Sequence, residues 1–180
     1  DNGIDRIHRD ADWSYKNSDN PVRYHSEWLM RTRETEHDYS NFVEFVRTLD
    51  SNTFDEATIN RLADRDMLCL NAAVRGYNGD FDSLTLRAGK NSYFYRPKGG
   101  RWMLIHWDGD RVFNNTSEPI LGNLPGIPTY FDKPFNRRVL NYYLTELLDK
   151  YTEGSPRTNA WMDAETLAVA GSGITMTKSH

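Results

Sequence analysis

A mostly helical α+β domain is the fold class this sequence predicts, and three observations carry it. Apolar residues recur at helical spacing between about residues 36 and 76, and again between 135 and 148. Two short β-rich runs, 92–96 and 102–107, flank Pro97-Lys98-Gly99-Gly100 and read as a hairpin. The chain has 180 residues, 38% of them hydrophobic and 13% aromatic, which suits one domain with one core.

Taken in order, residues 1–35 form an irregular, aromatic-rich arm whose Trp13, Tyr15, Tyr24 and Trp28 are expected to pack on the body. Asn17-Ser18-Asp19-Asn20-Pro21 reads as a turn within it. From about 36 to 49, Tyr39, Phe42, Val43, Val46 and Leu49 share one helical face, and Asp50-Ser51-Asn52 ends that helix. A second helix follows Thr53 with Ile59 and Leu62 inside. A third runs from about 64 to 75, with Asp64 or Asp66 as its cap and Gly76 at its end. Residues 76–90 are a polar loop, and the hairpin comes next. Residues 112–135, rich in Asn, Pro and Gly, read as an irregular loop. The last long helix places Phe135, Val139, Leu140, Tyr143, Leu147 and Leu148 on one side. A further helical stretch is expected at 160–170, before Gly171-Ser172-Gly173.

Composition excludes some classes. Net charge is −4, with 22 basic against 26 acidic residues. The basic footprint of a nucleic-acid binder is missing, so none is expected as a partner. Mean hydropathy is −0.76. No apolar stretch approaches the ~18 residues of a membrane span. Cys69 is the single cysteine, set in Met67-Leu68-Cys69-Leu70, and is expected to be a buried, inert thiol. The sequence starts at Asp1 without a signal-like segment or an initiator Met, which reads as a processed product or a piece of a longer protein.

The segment 78–110 carries the chemistry. A helix ends, a loop presents Asp80 and Asp82, Asn91 opens the hairpin, and its second strand ends at Asp108-Gly109-Asp110. Phosphoryl-transfer sites of protein kinases use this order of parts. One Asp orients the attacking hydroxyl, an Asn farther on ligates metal, and an Asp after the hairpin holds the Mg²⁺ on the nucleotide phosphates. Hard oxygen donors suit Mg²⁺, and a carboxylate beside a hydroxyl can take its proton. From spacing alone other readings stay open. The Asp-x-Asp pairs at 80–82 and 108–110 also fit structural turns, Ca²⁺ ligands, or a metal-dependent glycosyltransferase.

The letters add a resemblance. Asp80-Phe81-Asp82-Ser83, then Gly89-Lys90-Asn91-Ser92-Tyr93-Phe94-Tyr95-Arg96, then Arg101-Trp102-Met103-Leu104-Ile105-His106-Trp107-Asp108-Gly109-Asp110 resemble the CotH kinase family, the spore coat protein H-like atypical protein kinases. That family shows an aromatic-Asp-Ser/Gly step, an Asn-x-Tyr-x-Tyr strand and a strand ending in Trp-Asp-x-Asp. The resemblance is specific over about 64–113, and weaker from 36 onward and through 135–150. It implies a kinase C-lobe over 36–155, whereas the first 30 residues and the last 25 show no match to it, and 156–180 reads as a C-terminal extension, the truncated end of the same domain.

The resemblance also implies roles. Asp82 is the catalytic Asp, with Asp80 as its rival two residues away. Asn91 and Asp108 hold metal, Asp110 is a further metal or water ligand, and Lys90 and Asn91 lie toward the nucleotide. It implies Mg²⁺ (or Mn²⁺) and ATP as cofactors, and Ser or Thr on coat, secreted or cell-surface proteins as acceptor. The chain would then act outside the cell, at its surface or in a spore coat. The lysine-bearing, β-rich lobe that grips ATP in kinases is not visible before residue 36, so this chain alone is expected to bind ATP poorly. A non-catalytic structural or binding module of the same fold is the alternative. The neighbours of the motif have plainer readings: Trp107 is expected as core beside the loop, and His106 as a packed or half-exposed strand residue.

Overall fold

The computed structural model describes residues 11–113 and 117–152, together with positions 159, 160, 163 and 164. The helix expected at 160–170 lies largely outside the described residues. Among the described residues, five complete α-helices and one two-stranded antiparallel sheet make the fold α+β, as the sequence predicts. They run α1 (Ser40–Ser51), α2 (Glu56–Leu62), α3 (Arg65–Tyr77), β1 (Ser92–Tyr95), β2 (Met103–His106), α4 (Ile127–Phe131) and α5 (Pro134–Tyr151).

Local chemistry sets the boundaries. Asn52 closes α1 in the left-handed region, where Asn is tolerated. Asp55 caps α2, its carboxylate accepting from the Thr58 amide at 2.7 Å. Asp64, not Asp66, caps α3 by accepting from the Met67 amide. Gly76 does not end α3 as expected; it lies inside the helix. A Cβ there would meet the Ile120 carbonyl oxygen at 2.5 Å, so the glycine serves close approach of the 117–125 loop. Between the strands, the Gly100 amide donates to the Pro97 carbonyl and Gly99 takes φ +70°, the geometry of a type II turn.

The core lies between α1, α3, the inner face of the hairpin and α5. Phe94 alternates inward between the exposed Tyr93 and Tyr95, and stacks on Trp102 with ring centroids 4.6 Å apart. The aromatic arm has no α-helix or strand among its described residues, yet it fills the middle of the core. Trp13 is fully buried against Phe45, Phe94, Tyr130 and Phe131. Its amide donates to the Pro125 carbonyl at 3.0 Å. Tyr24 is equally buried, against Tyr39 and Phe42.

Three expectations need correction. The irregular stretch 112–135 contains α4, whose Ile127, Tyr130 and Phe131 are core residues. The loop 76–90 is polar in letters only; Leu84, Leu86, Ser83 and Thr85 are buried in it. On α5, Leu148 is exposed, while Leu144 packs against the core beside Val139 and Leu147. Cys69 is buried as expected, and burial pushes its thiol up to about 12. Among the described residues no helix is long and apolar enough to cross a membrane.

The hairpin is pinned to the helices at one end. The Trp102 amide donates to the Leu62 carbonyl at 2.8 Å, and the Asp64 amide donates to the Trp102 carbonyl at 2.7 Å. The junction of α2 and α3 thus fixes the start of β2. The opposite end of the hairpin, where β1 begins and β2 finishes, lies at the C-terminal end of α3.

Candidate active site

Three segments meet beyond that end of α3: the loop 78–83, Asn91 ahead of β1, and the loop 107–113 after β2. The Phe113 amide donates to the Asn78 carbonyl at 2.6 Å, and the Arg111 guanidinium lies over the Phe81 ring at 5.9 Å. The two Asp-x-Asp segments therefore run beside each other.

The two aspartates of the first pair have different surroundings. Asp80 is fully buried, and its Oδ2 accepts from Arg75 Nη1 at 2.5 Å. Burial pushes the Asp80 carboxyl up, against the pull of the Arg75 charge. The Ser83 hydroxyl donates to the Asp80 carbonyl at 2.7 Å and closes the turn. Asp82 is partly open, with its side chain 17% exposed. Its Oδ1 accepts from Lys90 Nζ at 2.9 Å. The Asn91 side-chain amide donates to the Asp82 carbonyl at 2.9 Å and to its Oδ2 at 3.2 Å.

Asn91 and Asp108 both take left-handed backbone conformations, at φ 56° and 54°. Asp108 and Asp110 are exposed. Burial lowers the Arg75 guanidinium pKa, and the charges of Asp80, Asp108 and Asp82 act against it, Asp80 by direct contact. Asp110 stands two residues farther along the exposed loop. His106 is exposed at the end of β2, with its ring edge against the loop, where a Cβ on Gly109 would meet its Nε2 at 2.8 Å. Partial burial, and then the Arg75 charge, hold His106 below the usual histidine range.

Arg75 is the residue that sequence reasoning missed. Its Nη2 donates to the Asn91 carbonyl, and also to the Trp107 carbonyl at 2.9 Å. The signal was present in the helical period. Leu68, Ala72 and Arg75 lie on one face of α3, and a guanidinium on a buried stripe requires partners. Trp107 is a correction in the other direction. It is 57% exposed rather than core, and packs edge-on to Tyr93. With Tyr93, Tyr95 and Ile105 also exposed, the outer face of the hairpin is apolar next to Asp108.

The model of the CotH kinase protein family matches residues 4–159. The chain belongs to this family. The match takes in the N-terminal aromatic segment as well as the run 64–113 that carries the motifs. No curated protein and no solved structure matches the chain. Membership of the CotH kinase family brings, in general, the use of ATP and a divalent cation, and a protein as phosphate acceptor.

The side chains that these loops carry offer oxygen donors: the carboxylates of Asp82, Asp108 and Asp110, and the Asn91 amide oxygen. Among the described residues no three His, Cys, Asp or Glu side chains are grouped to hold a metal ion. A cation held here would therefore take one or two of these oxygens rather than a full protein cage. Mg²⁺ keeps several waters and is commonly held by one or two carboxylates plus substrate phosphates.

Proposed function

We propose that this CotH-family chain carries the phosphoryl-transfer centre of a protein kinase, with residues 36–155 as its C-lobe, and that Asp82 is its catalytic base. The observation that carries the reading is the contrast between Asp80 and Asp82. Asp80 is consumed by a buried ion pair and has no access to a substrate. Asp82 is accessible and is oriented by the Asn91 amide. Asp82 would align a Ser or Thr hydroxyl and accept its proton as the hydroxyl oxygen attacks the γ-phosphorus of ATP. The bond from the γ-phosphorus to the bridging oxygen breaks, and ADP leaves with the electron pair.

Asn91, through its side-chain oxygen, and Asp108 would hold the cation, with Asp110 supplying a further ligand directly or through water. When bound, Mg²⁺ (or Mn²⁺) would supply the positive charge that offsets the negative charge spreading in the transition state. Lys90, more than half exposed and paired with Asp82, would release that pair and turn toward an incoming phosphate. The Lys90 charge keeps the Asp82 carboxylate compensated until then. The acceptors would be coat, secreted or cell-surface proteins, as the family resemblance implies.

The test is transfer of radiolabel from ATP by the full-length protein, compared with Asp82→Ala and Asp108→Ala. General-base loss is expected to lower the rate by about 10²–10⁴-fold. Equal incorporation by all three proteins would refute the reading and favour a non-catalytic module of the same fold.

A further inference from the structure

We infer that Arg75 is the positioning residue of this site, its one buried guanidinium holding Asn91 and Asp108 in the left-handed backbone conformations that aim both side chains at the cation. What those two residues hold rests on the kinase reading above; how they are held rests on geometry.

Left-handed backbone is sparsely populated for residues other than glycine, and it persists where the surroundings over-determine it. Asn91 precedes β1 and Asp108 follows β2, so the two conformations stand at the paired open ends of the hairpin. Arg75 reaches both ends. Its Nη2 donates to the carbonyl of Asn91 itself and to the carbonyl of Trp107, the peptide group that leads into Asp108. Its Nη1 donates to Asp80 Oδ2.

The pairing with Asp80 is not the two-pronged fork that arginine makes when it only neutralises a carboxylate. Asp80 Oδ1 and Arg75 Nε are both buried without a hydrogen-bond partner. The guanidinium is turned so that a nitrogen is spent on the two hairpin carbonyls instead. Asp80 in turn is fixed to the end of α3, its amide donating to the Arg75 carbonyl at 2.9 Å. Arginine alone among side chains offers this span, because its planar donors point in several directions from one rigid group. The helix, the loop that bears Asp82 and both ends of the hairpin are thereby referenced to one group.

Two variants of the full chain test this. Arg75→Lys keeps a cation beside Asp80 but cannot reach both carbonyls. The double change Arg75→Met with Asp80→Leu removes both charges, so that neither is left buried and unpaired. The first readout is the NMR backbone chemical shifts of Asn91 and Asp108 without metal or nucleotide. The second is Mn²⁺ affinity from water-proton relaxation. Both variants are expected to keep the shifts of α1 and α5, and to move Asn91 and Asp108 out of the left-handed range. Mn²⁺ binding should weaken by about 10–100-fold, the usual effect of losing a group that orients a metal ligand. Left-handed shifts retained at both residues in a folded variant would overturn the role of Arg75. A wild-type protein that binds no Mn²⁺ would overturn the metal assignment, and the shifts would then decide the positioning role alone.

Discussion

Replacing Asp80 by alanine takes away the carboxylate partner of Arg75 at a place that solvent does not reach. Both side chains of the pair are essentially buried, at 0% and 1% exposed. Breaking a buried pair from one side costs about 3–5 kcal/mol, because the remaining charge is left uncompensated. For a chain of this size each kcal/mol lowers the melting temperature by roughly 2–4 °C, so Asp80→Ala should melt about 6–20 °C below wild type. Asp82→Ala forms the contrast. It gives up an ion pair to the half-exposed Lys90, worth ~0–1 kcal/mol. It also gives up a hydrogen bond from the Asn91 amide to a charged oxygen, worth about 1.5–3 kcal/mol and, at 3.2 Å on a partly open group, near the lower end. The loss should stay below about 3 kcal/mol. Urea denaturation followed by circular dichroism reads both values, provided the slope m is unchanged between variants. Equal losses of stability in the two variants would refute the division of labour between a structural Asp80 and a working Asp82.

Other consequences can be checked in the same preparations. His106 is held below its ordinary pKa, so the unfolded chain binds the extra proton first. The stability that this contributes is present above the unfolded histidine value and is lost as the pH falls toward the folded one. Wild type should therefore lose more stability than His106→Gln between about pH 7.5 and 5.5, read as the difference of urea midpoints. Gly122→Ala would place a Cβ 1.2 Å from the Leu86 carbonyl oxygen, backbone against backbone, and should destabilise the fold by at least ~1–3 kcal/mol in thermal melts. Cys69, buried and with its thiol pushed up to about 12, should stay unreactive to a thiol-exchange reagent until denaturant unfolds the chain. Trp107→Phe should change stability by less than about 0.5 kcal/mol while reducing iodide quenching of tryptophan fluorescence, since the indole is exposed.

The helices legible in the sequence were α1, α3 and α5, with a sustained apolar stripe, and the shorter α2, marked by Ile59 and Leu62 after Thr53. The hairpin was legible because Pro97-Lys98-Gly99-Gly100 separates two β-rich runs. Helix α4 was hidden because five residues give too few turns to show a period, and because Gly126 and Pro128 look like loop punctuation. Here the glycine supplies the left-handed cap and the proline occupies the first turn, where its missing amide costs nothing. At the site, the residue types and their order were readable, but the environments were not. The letters favour Asp82 over Asp80 only through its neighbours Phe81 and Ser83; that the fold buries one and leaves the other open is not written in them. Trp107 misled for the same reason, since a tryptophan beside a loop carries no mark of which face it takes. Arg75 did leave a trace, as a charge where the stripe of α3 called for an apolar residue.

The placement of Trp13 has a kinetic consequence. Its neighbours in the core are Phe45, Phe94, Tyr130 and Phe131, and its amide is bonded at Pro125. During synthesis Trp13 emerges before all of them, and Tyr130 and Phe131, which complete the enclosure of its indole, leave the ribosome more than a hundred residues later. Helices α1 and α3 can form locally in the interval, but the core between them stays open until α4 arrives. Contacts of such long sequence separation slow folding and lengthen the exposure of apolar surface. The nascent chain therefore passes through a stage with a helical frame and an unfilled centre, its apolar surface exposed until α4 closes it.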